Sequence, residues 1–184
     1  MQHGKVLRIF SLKDGREAIL RTPKQNDLED LLKLINSLVD EGAEIATTSQ
    51  VTREEETEWL RKMLEGLEKD ELFFLVAEVN RKVVASSDIH IPVGDQNHVG
   101  ILGVAIKREF RDLGIGTQMM QTLVEQAGAM GLTALTLNVF ATNKRAIHVY
   151  GKVGFLKTGT APMRYFRRGR YIDEVKMTKL IAKS

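Results

Sequence analysis

The sequence predicts an α/β fold: a mixed, mostly antiparallel sheet built around one central β-α-β unit and flanked by helices. Three observations carry that expectation. Short apolar runs of period two alternate with longer runs of period three to four. A strand, helix, strand succession of the length needed for a parallel crossover surrounds residue 115. The remaining strands follow one another through short, turn-rich connections that suit hairpins.

Each element follows from local chemistry. Val6 to Phe10 and Glu17 to Thr22 alternate on either side of the turn dipeptide Asp14-Gly15, and Pro23 ends the second run. From Asp27, Leu28, Leu31, Leu32, Ile35, Leu38 and Val39 fall on one helical face that closes near Gly42. A second helix spans Glu54 to Leu67. Strands follow at Leu72 to Val79, Lys82 to Ile91 and Val99 to Ile106, separated by Asn80-Arg81 and by Gly94-Asp95-Gln96-Asn97. Ile115, Met119, Met120, Leu123, Val124 and Ala127 then define a helix that opens at Gly114-Ile115-Gly116 and closes at Gly131. Ala134 to Phe140 reads as a strand, Asn143 to Val153 as a helix closed by Gly154, and Phe155 to Thr160 and Tyr171 to Leu180 as the last two strands.

A chain of 184 residues, 43% hydrophobic and 28% charged, is expected to form one domain over 1–184 with a core at about 16–180. With no cysteine there is no disulfide, thiolate metal site or cysteine nucleophile, and no metal is expected. No apolar run reaches a bilayer-spanning length and Met1 to Lys5 carries no signal core, so the expected location is cytoplasmic, with no membrane partner. Charge is unevenly placed. Residues 1–98 hold 13 Lys and Arg against 19 Asp and Glu, and residues 99–184 hold 14 against 5, so a polyanionic ligand favours the second half. That asymmetry is equally compatible with a solvated surface, and the cluster Arg164, Arg167, Arg168, Arg170 reads as a solvated hairpin rather than a nucleic-acid patch.

The most informative stretch is Val104-Ala105-Ile106-Lys107-Arg108-Glu109-Phe110-Arg111-Asp112-Leu113-Gly114-Ile115-Gly116-Thr117. A strand enters a basic loop and then a helix whose first turn holds two glycines, so free backbone N–H groups and the positive helix end meet at one point suited to phosphate. Met119 stands where a dinucleotide fingerprint needs its third glycine, and no Gly-Lys-Ser/Thr occurs, which excludes the P-loop. Arg111-x-x-Gly114-x-Gly116 after an apolar strand does resemble the pyrophosphate motif of the GNAT superfamily of N-acetyltransferases. The likeness continues downstream: Asn143 and Tyr150, seven residues apart on one helical face, and the closing Gly154-Phe155 stand where that family has them. The element order over residues 16–180 is also the family's.

The resemblance implies a single-domain GNAT fold and acetyl-CoA-dependent transfer of an acetyl group to a primary amine, a protein N-terminus or a small amine, by direct attack in a ternary complex. It assigns cofactor contact to Val104, Ala105, Ile106, Arg111, Asp112, Leu113, Gly114, Ile115, Gly116, Thr117, Asn138, Asn143 and Tyr150. Free amides at Val104 to Ile106 would hold the oxyanion, and Tyr150 would supply the proton of the leaving thiolate; Tyr150 also fits core packing, and Asn143 also fits a helix N-cap. The loop between the first two helices would receive the amine, and Glu41 and Glu44 there favour a cationic acceptor, whereas Glu54, Glu55 and Glu56 are explained by the helix N-terminus they open.

The departure concerns the base. Where relatives carry a glutamate, this chain has Asn138 on one strand and Gly100 on the other, neither able to accept a proton. His98, two residues before Gly100, is the expected catalytic base, with Asp88 and His90 on the preceding strand as weaker candidates. The missing carboxylate keeps a second reading open, a non-catalytic acyl-CoA-binding sensor on the same fold. The expected partners are acetyl-CoA and an amine acceptor, without nucleic acid, and a homodimer is compatible with the sequence.

Overall fold

The structure, a computed structural model, describes residues 1–181. All eight strands join one sheet in the order β1-β2-β3-β4-β5-β6-β8-β7. The strands are β1 (Val6–Ser11), β2 (Glu17–Arg21), β3 (Leu72–Val79), β4 (Lys82–His90), β5 (Val99–Ile106), β6 (Ala134–Phe140), β7 (Leu156–Arg167) and β8 (Arg170–Leu180); the helices are α1 (Leu28–Asp40), α2 (Arg53–Glu68), α3 (Ile115–Ala129) and α4 (Lys144–Lys152). Every neighbouring pair is antiparallel except β5 and β6, which α3 connects. Among the described residues no helix is long and apolar enough to cross a membrane.

The apolar spacings bury as helical periodicity requires. α1 turns Leu28, Leu31, Leu34 and Leu38 inward, α2 Leu60, Met63, Leu64 and Leu67, and α3 Ile115, Met119, Met120, Leu123 and Ala127. Each such side chain removed from water contributes about 1.5–3 kcal/mol before entropy is counted. β3 is buried along nearly its whole length because helices pack against its two faces, which explains its continuous apolar run. Arg21, almost fully buried on β2, donates to both oxygens of Asp27 at 2.7 Å and to Glu78 at 2.8 Å, tying β2 to the turn before α1 and to β3.

The parallel pair shapes the rest. β5 and β6 are in register only at Val99–Ala134, Gly100–Leu135 and Ile101–Thr136; beyond that β5 stays on β4 as far as Ile106, β6 stays on β8 as far as Phe140, and the two part. Lys107 N–H donates to Val84, so alternation turns the amides of Val104 and Ile106 toward the opening.

Two expectations need correction here. The seventh strand does not end at Thr160 but runs to Arg167, interrupted by bulges at Lys157/Gly159 and Ala161/Tyr165. Pro162 is tolerated inside it because it falls in the second bulge of an edge strand, where a missing N–H costs no ladder bond. Nor is the arginine cluster wholly solvated: Arg167 donates to the carbonyls of Ala43 and Ile45 at 2.6 and 2.7 Å and lies 5.0 Å from the Phe140 ring centre.

Gly100 is a packing residue. A Cβ there would stand 2.6 to 2.9 Å from side-chain atoms of Ile89, Leu135 and Leu132, so its face of β5 is core and no carboxylate at this position could point into the opening. We expect Gly100→Val to cost roughly 1–3 kcal/mol, as overpacking does. Chemical denaturation measures it, and an unchanged midpoint would contradict this packing.

Candidate active site

The opening between β5 and β6 continues into a cleft of about 1810 Å³ that runs from the α3 N-terminus, past the ends of both strands, to the inner faces of α1 and α2. At one end, Gly114 has φ of +101°, a left-handed conformation that glycine adopts without strain, and a Cβ there would meet only open space. No side chain caps α3, its first hydrogen bond is Gln118 N–H to Gly114, and among the described residues the N–H groups of Ile115, Gly116 and Thr117 have no acceptor. Arg108, Arg111, Arg145 and Lys152 line the same end. Free amides, a positive helix end and this group of cations, of which Arg111 is paired with Glu41 and Arg145 with Asp112 at 3.4 Å, fit a diphosphate, so this end suits acetyl-CoA.

The predicted cofactor residues divide into those that face the cleft and those that do not. Val104, Ala105, Ile106, Arg111, Asp112, Gly114, Gly116, Thr117, Asn138, Asn143 and Tyr150 line it. Leu113 and Ile115 pack their side chains against the core, leaving only their backbone to a ligand. Gly116 has a second reason to be glycine: its missing Cβ would lie 3.2 Å from Ile106 and 3.8 Å from Val149, so it lets α3 approach β5 and α4. Asn143 caps α4 through a 3.1 Å bond from Ala146 N–H. Tyr150 is half-buried, its ring tilted toward Phe155; its hydroxyl has no hydrogen-bond partner among the described residues, and burial pushes its pKa up to about 12.

Arg111 and Glu41, expected at opposite ends of the site, are partners. The Arg111 guanidinium is paired with the Glu41 carboxylate, and its Nε donates at 3.0 Å to the Ile106 carbonyl that the parted sheet leaves free. Glu44 likewise accepts a hydrogen bond from Thr142 on the β6–α4 connection. Both glutamates therefore fasten the α1–α2 loop over the cleft, and neither carboxylate stands free for an amine. Sequence spacing gives no sign of these pairings, which span 70 and 98 residues.

His98 is not in the cleft. It is exposed beside Thr133, whose N–H donates to its carbonyl at 2.9 Å, at the closed end of the parallel pair. Gly103 is about 16 Å further along the strand. Sharing a face with Gly100 does not bring His98 to the cleft, because that face of β5 is core, and the cleft opens at the C-terminal ends of β5 and β6.

Of the other carboxylates that line the cleft, two bear on the chemistry, Asp88 and Glu56. Asp88 on β4 lies opposite Gly103, with a carboxylate oxygen 3.0 Å from where a Gly103 Cβ would be, just before the amides of Val104 and Ile106. Burial raises its pKa to about 6, partly offset by nearby His90. Across from it stands α2, begun by a capping box in which Thr52 accepts from Glu55 N–H and Glu55 accepts from Thr52 N–H. Glu55 is spent on that cap, and Glu54 points outward. Glu56 turns inward: its residue is 5% exposed, it lines the cleft, and its side chain has no hydrogen bond or ion pair among the described residues. Burial raises its pKa to about 7. Glu56 was taken with its neighbours for helix-end charge; the signal that separates it is its placement four residues before buried Leu60 and three before Trp59.

The comparisons bear on this geometry. The residue profile described as the "Acetyltransferase (GNAT) family" matches residues 35–155. "Probable N-acetyltransferase camello" of Xenopus tropicalis is 29% identical over 105 residues, 54% of this chain and 48% of that protein, so the matched stretch is about half the length of that relative. Among solved structures, ribosomal-protein-alanine N-acetyltransferase from Brucella melitensis superposes with a TM-score of 0.78 at 26% identity, covering 88% of this chain and 98% of that one. A phosphinothricin acetyltransferase from Sinorhizobium meliloti, solved in complex with acetyl-CoA, superposes with a TM-score of 0.79 at 17% identity over 90% and 89% of the two chains.

The unpartnered glutamate has a consequence for stability. A carboxyl whose folded pKa is about 7 against an unfolded 4.5 binds more protons in the native state, so its contribution falls as pH rises from about 4.5 to 7. The loss is on the order of 3 kcal/mol. We expect Glu56→Gln to melt at a higher temperature than the parent at pH 8 and at nearly the same temperature at pH 5. Parallel melting curves across this range would contradict a buried, unpaired Glu56.

Proposed function

Because this chain belongs to the acetyltransferase (GNAT) family, whose cofactor is acetyl-CoA, we propose that it transfers an acetyl group to a cationic primary amine by direct attack in a ternary complex, with Asp88 as the base. The observation that carries this reading is the half-buried Asp88 carboxylate at the point where β5 and β6 part, next to amides free to meet an oxyanion. It supplies the function that Asn138 and Gly100 lack, and it favours an enzyme over a sensor.

Bound acetyl-CoA supplies an activated acetyl thioester. Gly114 to Thr117, with the cations around them, hold its diphosphate, and Asn138 and Asn143 offer amide groups along the same wall. Val104 and Ile106 direct N–H groups at the carbonyl oxygen. Asp88 would accept one proton from the bound ammonium and free the lone pair that attacks the acetyl carbon; the second proton, lost as the amide forms, would go through solvent to the departing thiolate, so that CoA leaves as the thiol. Deprotonation at pH 7 costs about 1 kcal/mol for an α-amine near 7.7 and about 4.6 kcal/mol for an alkylammonium near 10.4, so an alkylamine acceptor reacts through its small neutral fraction and its rate climbs further with pH. Tyr150, which lines the cleft, would meet the departing sulfur. Full proton transfer from a phenol at about 12 to a thiolate near 8.5 is uphill, so Tyr150 donates a hydrogen bond to the leaving thiolate rather than its proton.

The acceptor side is acidic. Asp88, Glu55 and Glu56 line the part of the cleft between α2 and β4, and the Lys and Arg that line the cleft lie on the segment before β2, the β5–α3 loop and α4. This arrangement supports a cationic amine, a protein N-terminus or a small amine, over an anionic amino-acid derivative such as phosphinothricin.

The test is CoA thiol release with a panel of monoamines, diamines, amino acids and short peptides, beside a melting assay with acetyl-CoA. Saturation at 100 times Kd adds about 2.7 kcal/mol of stability. Asp88→Asn should lower kcat roughly 10²- to 10⁴-fold and abolish the rise in kcat/KM with a midpoint near pH 6. Tyr150→Phe should lower kcat about 10- to 100-fold, the worth of one hydrogen bond to a charge, with the acetyl-CoA melting shift retained. Binding of acetyl-CoA without acetylation of any amine would make the protein a sensor, and an unchanged kcat in Asp88→Asn would remove that residue from the mechanism.

A further inference from the structure

We propose that Glu56 and Trp59 form a subsite for a second cationic group of the acceptor, so that the preferred substrate is a dication of the aliphatic diamine class, one nitrogen held by α2 and the other presented to Asp88. The inference rests on the proposed acetyl transfer and adds its acceptor specificity.

Glu56 first singles out this wall, because its situation is unusual. Buried carboxylates are normally paired or hydrogen-bonded. Among the described residues Asp27 is paired with Arg21 and Glu41, deep under its loop, with Arg111, whereas Asp88, the proposed base, shares the unpaired state of Glu56. Glu56 lines the cleft with no partner among the described residues. One turn along the same helix, Trp59 is held edge-to-face against Phe74 at 5.2 Å while 37% exposed, and it lines both the main cleft and the recess it shares with Met63, Asp88, His90 and Ile101. A carboxylate beside an aromatic face is the chemistry that binds an ammonium group, by charge and by the ring quadrupole together.

The two acids are held apart. Asp88 stands on β4 against the β5 amides and is suited to the attacking nitrogen, whereas Glu56 stands on α2 across the cleft. A single ammonium cannot be both the group that loses its proton at Asp88 and the group that stays charged at Glu56. An acceptor with two nitrogens satisfies both. Gln50, Val51 and Ser49 line the mouth above Glu56 without adding a positive charge that would compete with it.

The experiment compares kcat/KM for 1,4-diaminobutane and for n-butylamine, equal in carbon chain, in the parent protein, Glu56→Gln and Glu56→Asp. The parent should prefer the diamine by roughly 10-fold or more, mainly through KM. Glu56→Gln should bring that ratio to near 1, and Glu56→Asp should restore part of it. Asp88→Asn should instead depress kcat for both amines and leave the ratio largely in place. Melting curves with and without acetyl-CoA establish that each variant is folded and binds the cofactor. A parent ratio near 1, or a ratio unmoved in Glu56→Gln, overturns the subsite. If the parent acetylates no amine at all, the enzyme reading fails first, and that outcome is read from the parent alone.

Discussion

A parallel pair that holds for three residues and then opens is the constraint on which this molecule depends. Backbone N–H and C=O groups are obligatory hydrogen-bonding groups, and a sheet that parts leaves some of them without a ladder. Here the Ile106 carbonyl is taken by Arg111, and the amides of Val104 and Ile106 are left facing the gap. Sheet continuity is thus exchanged for a cleft lined by backbone donors, with the uncapped α3 N-terminus at one end. The groups that would be a liability in a closed sheet are the ones that recognise negative charge.

The α1–α2 loop is the other side of that exchange. It has no regular structure of its own, yet it is fastened at three points: Glu41 to Arg111, Glu44 to Thr142, and the carbonyls of Ala43 and Ile45 to Arg167. These anchors come from the β5–α3 loop, the β6–α4 connection and the β7–β8 hairpin. A change in any of the three elements would move the wall of the acceptor side without touching a reacting group. Arg167, stacked near Phe140, is the longest of these reaches, spanning 124 residues in sequence.

Electrostatics divides the cleft. The cofactor end gathers arginines and free amides, while the acceptor end gathers carboxylates whose pKa values burial has raised. Raised carboxyl pKa values oppose folding above neutrality. Asp88 and Glu56 are therefore destabilising groups placed where a ligand's positive charge can offset them, which is the usual pattern of a functional site.

The order of helices and strands was legible in the sequence because it rests on local periodicity, and apolar spacing does not depend on what an element packs against. The Arg111, Gly114 and Gly116 pattern was legible for the same reason, since a strand, a loop and a helix start are contiguous. Phe155 to Thr160 was underestimated because Pro162 halts a strand only where the ladder needs its N–H, and whether β7 is an edge is decided by sheet order. His98 stands outside the cleft and Asp88 faces it because alternation along a strand says neither which face is core nor at which end two strands part. Glu41 read as free until Arg111, 70 residues away, was brought beside it. Glu56 differs from Glu54 and Glu55 only in direction, which its spacing to Leu60 signals, but only the packing of α2 makes it a buried carboxylate without a partner. The sequence by itself determined the elements and the glycine-bounded start of α3; the tertiary structure alone decided which carboxylates are paired and which stand free, because desolvation and ion pairing depend on neighbours distant in the chain.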